Sequence, residues 1–165
     1  MTSWPLLGMA IGIGLMVASA HSDERPILIW NASPSLPVGL YRVTRTTPQL
    51  RDAVLLRLTP RVAALAARRD YLARSAYLLK PVVAAAGDRV CRLGVHIWVR
   101  GRRTARAKLR DGVGRSMPSW HGCNRLRTDE LFLLAEDPDS FDSRYFGVVS
   151  GSRVVGRAVL IWASG

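Results

Sequence analysis

The chain has 165 residues, a formal net charge of +12, 48% hydrophobic residues and 22% charged ones. This length is enough for one domain with a real core, and the balance excludes a disordered chain. Of the 24 basic residues, 22 are Arg, and Lys80 and Lys108 are the only lysines. The basic residues are mostly scattered, as on an Arg-rich solvated surface. The densest cluster (Arg100, Arg102, Arg103, Arg106, Lys108, Arg110) has only Trp98 beside it as a stacking partner, so no nucleic-acid partner is expected. The two cysteines, Cys91 and Cys123, match no zinc spacing, and nothing in the chain calls for a metal or cofactor. In an exported domain they suit a disulfide, and in a cytosolic one buried thiols.

Trp4 to Ala20 is a run of 17 residues without a charge, near the lower limit for a membrane span. Ala18-Ser19-Ala20 also has the small residues of a signal cleavage site. Either reading implies export, as a retained anchor or as a removed signal. No Lys or Arg precedes the run, and Arg25 follows it. The division expected is an N-terminal segment over residues 1–22 and a domain over 23–165.

Pro26 to Trp30 reads as a short strand. Pro34, Pro37 and Gly39 then make Ser33 to Gly39 a turn, not a helix. Leu40 to Thr44 and Ala53 to Leu58 read as strands. Thr59 can cap an Ala-rich helix over Arg61 to Ala76, with Pro60 at its first position. Tyr77 to Ala85 is a strand ended by Gly87-Asp88. Arg89 to Trp98 reads as a hairpin about Leu93-Gly94, with a further turn at Arg100-Gly101. Thr104 to Asn124 reads as loops, and Leu131 to Leu134 and Val154 to Trp162 as the closing strands. The fold class expected is mostly β, with one short helix behind a single N-terminal membrane segment.

Lys80 stands inside an apolar strand-like run. Arg keeps its proton in a protein, but a desolvated Lys can lose one. A neutral amine beside a serine hydroxyl can activate it as a nucleophile. Pro34 and Pro37 stiffen the backbone around Ser35, and Ser33 and the Ser35 amide stand ready as oxyanion donors. Ser140 lies in a polar segment between two strands, where Asp142 and Arg144 can form a charge-assisted pair. A Ser-His-Asp alternative would draw on His21, His96 or His121, but no Gly-x-Ser-x-Gly elbow supports it.

Three segments in order resemble the signal peptidase I superfamily (peptidase family S26), and most closely its conjugative-transfer TraF-type branch. Asn31-x-Ser33-x-Ser35-x-Pro37-x-Gly39-x-Tyr41 is similar to the nucleophile box. Lys80-Pro81-Val82 through Gly87-Asp88-Arg89-Val90 is similar to the lysine box, and Ser140 to Gly147 to the last box. Gly114 to Pro118 with Cys123 also looks like this branch. Leu36 stands where general signal peptidases carry Met, which suits the conjugative branch. The resemblance implies a β-rich peptidase domain that binds its substrate as an extended strand. It implies Ser35 as nucleophile, Lys80 as general base, Ser33 as oxyanion donor, Ser140 as lysine clamp, and Asp142 and Arg144 as supports. It further implies the periplasmic face of the bacterial inner membrane as location and an exported precursor as substrate, most specifically a conjugative pilin, with cyclisation as a possible outcome. The rival expectations are a general signal peptidase and a non-catalytic component of a conjugation or secretion complex.

Overall fold

The computed structural model describes residues 27–72 and 77–164, and the apolar run Trp4 to Ala20 lies outside them. In chain order the first strands are β1 (Leu28–Asn31), β2 (Gly39–Thr44), β3 (Ala53–Arg57) and β4 (Tyr77–Ala84). They are followed by β5 (Arg89–Leu93), β6 (His96–Val99), β7 (Arg102–Arg106) and β8 (Gly122–Arg125). The last are β9 (Glu130–Leu133), β10 (Val149–Ser150) and β11 (Val154–Ala163), and the helices are α1 (Pro60–Arg68) and α2 (Ser143–Phe146). Among the described residues no helix is long and apolar enough to cross a membrane.

A seven-stranded sheet runs β1-β2-β11-β3-β4-β9-β10, and a four-stranded sheet runs β7-β6-β5-β8. The run Val54-Leu55-Leu56 shows why the large sheet is covered on both faces. Side chains alternate along a strand. Val54 and Leu56 enter a cluster with Ala66 of α1, Phe141 and Tyr145, while Leu55 enters one with Tyr41, Leu79 and Val155. A third cluster joins the small sheet to β9 through Val90, Ile97, Val99 and Phe132.

The mostly β expectation holds, with one correction: the described residues form two α-helices, not one. Helix α2 has four residues, too few for a helical period to show in sequence, and Asp142 caps it by accepting from the Arg144 amide at 3.0 Å. Helix α1 starts as expected, with Thr59 accepting from the Val62 amide and Pro60 in the first turn. It ends at Arg68, well before Ala76. Asp70 takes a left-handed φ of 56°, and the Tyr71 and Asp70 amides close back on Ala66 and Ala67, a Schellman ending without glycine. The expected loops from Thr104 to Asn124 are trimmed at both ends by β7 and β8.

Pro81 sits inside β4, a place that proline usually avoids. It stands where the β3 ladder ends, at Ala53↔Pro81, and the β9 ladder begins, at Val82↔Leu133. Gly39, at the exit of the Ser/Pro turn, has φ 155°, and a Cβ there would lie 2.1 Å from the Trp162 carbonyl oxygen. Only glycine lets β2 and β11 approach this closely. The Ser164 amide donates to the Val38 carbonyl at 2.9 Å, so the last strand also pins the turn.

Candidate active site

Ser35 lies on the turn between β1 and β2, and the Asn31 side chain holds that turn together. Its amide donates to the carbonyls of Ser33, Leu36 and Pro37 at 2.9, 3.0 and 3.1 Å, and its oxygen accepts from the Ser33 amide at 3.2 Å. The Tyr41 hydroxyl donates to the Pro37 carbonyl from the next strand, at 2.8 Å. A turn with two prolines and few internal backbone bonds is thereby given a fixed shape. In the sequence Asn31 shows as the first residue of the nucleophile box, with no task of its own. An Asn at the start of a turn was the available signal.

Lys80 comes from the middle of β4. By alternation it shares a face with Leu78 and Val82, and its register partner on β3 is Val54. Its side chain is 3% exposed. The Lys80 Nζ donates to Ser35 Oγ and, at 2.6 Å, to Ser140 Oγ. Ser35 and Ser140 hydroxyls are 3.3 Å apart. Three segments remote in sequence thus meet at one amine. Burial pulls the Lys80 amine down from its ordinary value to about 8, against the opposing pull of Asp142 and Asp137 and with help from Arg144.

The Ser33 hydroxyl donates to Ser35 Oγ at 3.0 Å and accepts from the Ser35 amide at 3.2 Å. Both groups expected to bind an oxyanion are therefore bonded to each other at rest, with the Ser33 hydroxyl turned toward Ser35. Among the described residues, Ser35 Oγ has Ser33, Lys80 and Ser140 as polar partners. His96 stands on β6 and His121 before β8, neither bonded to Ser35, and His21 lies outside the described residues.

Ser140 is buried on the loop after β9, its amide bonded to the Asp137 carbonyl at 3.1 Å. Asp142 and Arg144 lie behind it, both essentially inaccessible. The Arg144 guanidinium bonds both Asp142 oxygens, at 2.8 and 3.0 Å, and also the carbonyls of Ala135 and Pro138 at 2.7 and 2.9 Å. Asp142 accepts the Ala135 amide at 3.0 Å. Burial pushes the Asp142 carboxyl up, while Arg144 and the two backbone amides pull it down. A buried pair satisfied at this many points sets a loop shape more than it adds stability. Phe141 fills the space between, stacked on Tyr145 and tilted against Tyr71.

Arg92 was missed. It is 3% exposed on β5 and donates to the Arg144 carbonyl at 2.6 Å, tying the small sheet to the Ser140 loop. Alternation from buried Val90 was the signal for its inward position. Beside it, Cys91 and Cys123 face each other across β5 and β8 and are joined in a disulfide. Lys108, the other lysine, is exposed and paired with Asp139.

A groove of about 1380 Å³ opens beside Ser35, walled by Pro34 to Val38, Pro81 to Val83 and the β6–β7 turn. An amine that is readily neutral, bonded to a hydroxyl at the side of an open groove, can take the hydroxyl proton while that oxygen attacks a bound carbonyl.

This arrangement sits in a chain that matches, over residues 1–163, the family described as signal peptidase, peptidase S26. The chain belongs to that family. It is 35% identical over 139 residues to a probable conjugal transfer protein TraF of Sinorhizobium fredii, covering 78% of this chain and 73% of that one. It is 33% identical over 168 residues to a plasmid transfer protein TraF of Escherichia coli, covering 93% and 94%. A crystal structure of a signal peptidase I from Enterococcus faecalis aligns with 18% identity and a TM-score of 0.40, over 69% of this chain and 98% of that one.

Proposed function

We propose that the protein is a membrane-associated serine endopeptidase with a Ser35/Lys80 dyad, maturing an exported pilin precursor for conjugative transfer. The observation that carries this reading is the buried Lys80 amine bonded at once to Ser35 and Ser140. The names of the curated relatives support the conjugative setting.

The steps follow from the geometry. Neutral Lys80 donates one N–H to Ser140, which points its lone pair at the Ser35 hydroxyl. Ser35 Oγ attacks the scissile carbonyl carbon and its proton passes to Lys80 Nζ. The Ser35 amide and the Ser33 hydroxyl release each other and bond the oxyanion. Collapse breaks the C–N bond, and the leaving amine takes the proton from Lys80. Water, or the substrate's own N-terminal amine, then gives a proton to neutral Lys80 as it attacks the ester carbonyl; the C–Oγ bond breaks, Lys80 returns the proton to Ser35, and the product is an acid or a cyclic amide.

Membrane association has its own support. Ile27 just before β1, Leu28 and Trp30 on β1, and Ile161 and Trp162 on β11 are exposed apolar residues near the Ser35 turn, and the two Trp rings lie 5.6 Å apart. A patch of this kind, a short polar stretch after an apolar N-terminal segment, suits contact with lipid at the periplasmic face of the inner membrane.

Co-expression with a candidate pilin precursor and mass spectrometry of the product tests the reading. Ser35→Ala and Lys80→Arg are each expected to leave the precursor uncut while the protein accumulates. A product one water lighter than the linear form marks cyclisation. Normal processing by either variant refutes the dyad.

A further inference from the structure

The groove beside Ser35 carries charge that the dyad does not use. Arg51, Arg100, Arg102 and Arg103 line it, against the single carboxylate of Glu136. Nearby acids are already engaged: Asp88 pairs with Arg100 and Asp52 with Arg157, both at 2.9 Å. Among the described residues, Arg51, Arg102 and Arg103 form no ion pair. Arg102 and Arg103 belong to β7, an edge of the small sheet, where charge also discourages strand pairing. That does not account for Arg51, which comes from the β2–β3 connection and faces the same groove. Its backbone is anchored there, with the Arg51 amide donating to the Val82 carbonyl at 2.8 Å.

We infer that this groove selects substrates with carboxylates close to the scissile bond, read by Arg51, Arg102 and Arg103. The proposal rests on the peptidase reading and narrows its substrate class to acidic segments. Three uncompensated guanidiniums on two walls of a cleft raise the local concentration of an anionic peptide and fix its register more than they add raw affinity. The carboxylate can be an acidic side chain or the substrate's own C-terminus.

Binding is measured on the full-length, detergent-solubilised Ser35→Ala protein. The probes are a fluorescein-labelled alanine-rich peptide with glutamates on both flanks and its glutamine counterpart, each as free acid and as C-terminal amide. The glutamate peptide is expected to bind about tenfold tighter at ~0.05 M salt, with the difference fading towards ~1 M. A preference for glutamate over glutamine that survives in the amides assigns the side chains, and a preference for the free acid over the amide of the same glutamine peptide assigns the terminus. Arg102→Glu with Arg103→Glu removes the preference, whereas Arg61→Glu with Arg68→Glu, an equal change of net charge on α1, keeps it. Arg51→Glu gives the same reading outside the edge strand should the double variant fail to fold. Equal binding of all four peptides overturns the proposal, as does equal loss in the α1 variant. So does a dependence of phosphatidylglycerol-vesicle binding on the groove arginines while peptide charge goes unread. Because binding is read without cleavage, failure of the dyad and failure of this selectivity are separate results.

Discussion

Replacing Lys80 by Met removes the charge and keeps most of the length, and it sets activity against stability. Burial pulls the amine down from 10.5 to about 8. At ~1.4 kcal/mol per pH unit, the folded state below pH ~8 carries about 3 kcal/mol of unfavourable protonation. Met abolishes that penalty. It also removes the bonds to Ser35 and Ser140, at about 1 kcal/mol each, but those hydroxyls already lie 3.3 Å apart and can bond each other. The net expectation at pH ~7 is a gain of about 1–2 kcal/mol, or about 2–6 °C in Tm for a domain of this size. The sign fixes the pH window. The folded pKa lies below the unfolded one, so between pH ~8 and ~10.5 the unfolded wild-type chain binds a proton that the folded one does not. Wild-type stability therefore rises through that window, and the advantage of Met disappears. Processing follows the neutral amine, roughly one molecule in ten at pH ~7 against roughly one in three thousand at the ordinary value. The wild-type kcat/KM should climb about tenfold per unit up to pH ~8 and then level, while Lys80→Met is inactive throughout. Thermal unfolding of both proteins at pH ~7 and ~9.5, with a wild-type pH–rate profile, checks each part. A variant several degrees less stable at both pH values, or a flat wild-type profile from pH ~6 to ~9, refutes the reasoning.

Asn31→Ala removes the side-chain donor from the Ser33 and Leu36 carbonyls and leaves Pro37 with Tyr41 alone, and it should lower kcat by about 10- to 100-fold, with faster amide exchange across residues 33–38. Asn31→Asp, which can accept but not donate, should fail to rescue it; a variant with wild-type kcat would show that the turn holds without the clasp. Loss of the disulfide, whose cysteines are 32 apart in sequence, should cost about 3–4 kcal/mol by loop entropy and lower Tm by about 7–15 °C. Cys91→Ser with Cys123→Ser and reduction of the wild type should agree, and a shift under ~2 °C would assign the bond no structural weight.

Most strands were legible because their signals are local. β2, β3, β4 and β11 show as apolar runs between turn residues, and the start of α1 shows as Thr59-Pro60. The end of α1 was not legible. Asp70 takes a left-handed backbone conformation without being glycine, and local propensity favours continuation through the alanines. Helix α2 escaped because a single turn has no period; Asp142 was visible as a partner for Arg144 but not as a cap.

The chemical inventory is written in the residue order: a scarce lysine in an apolar run, a serine between prolines, and a polar segment with Ser140, Asp142 and Arg144. Their order along the chain carried the family resemblance. That these parts share one site follows from the folded chain alone, because a hydrogen bond between residues 45 or 60 apart depends on strand register and turn shape. The same holds for the inward Arg92, the Asn31 clasp, and the meeting of Arg51 with the β7 arginines across one groove. Composition counts charges, but which of them remain uncompensated depends on where the folded chain places the acids.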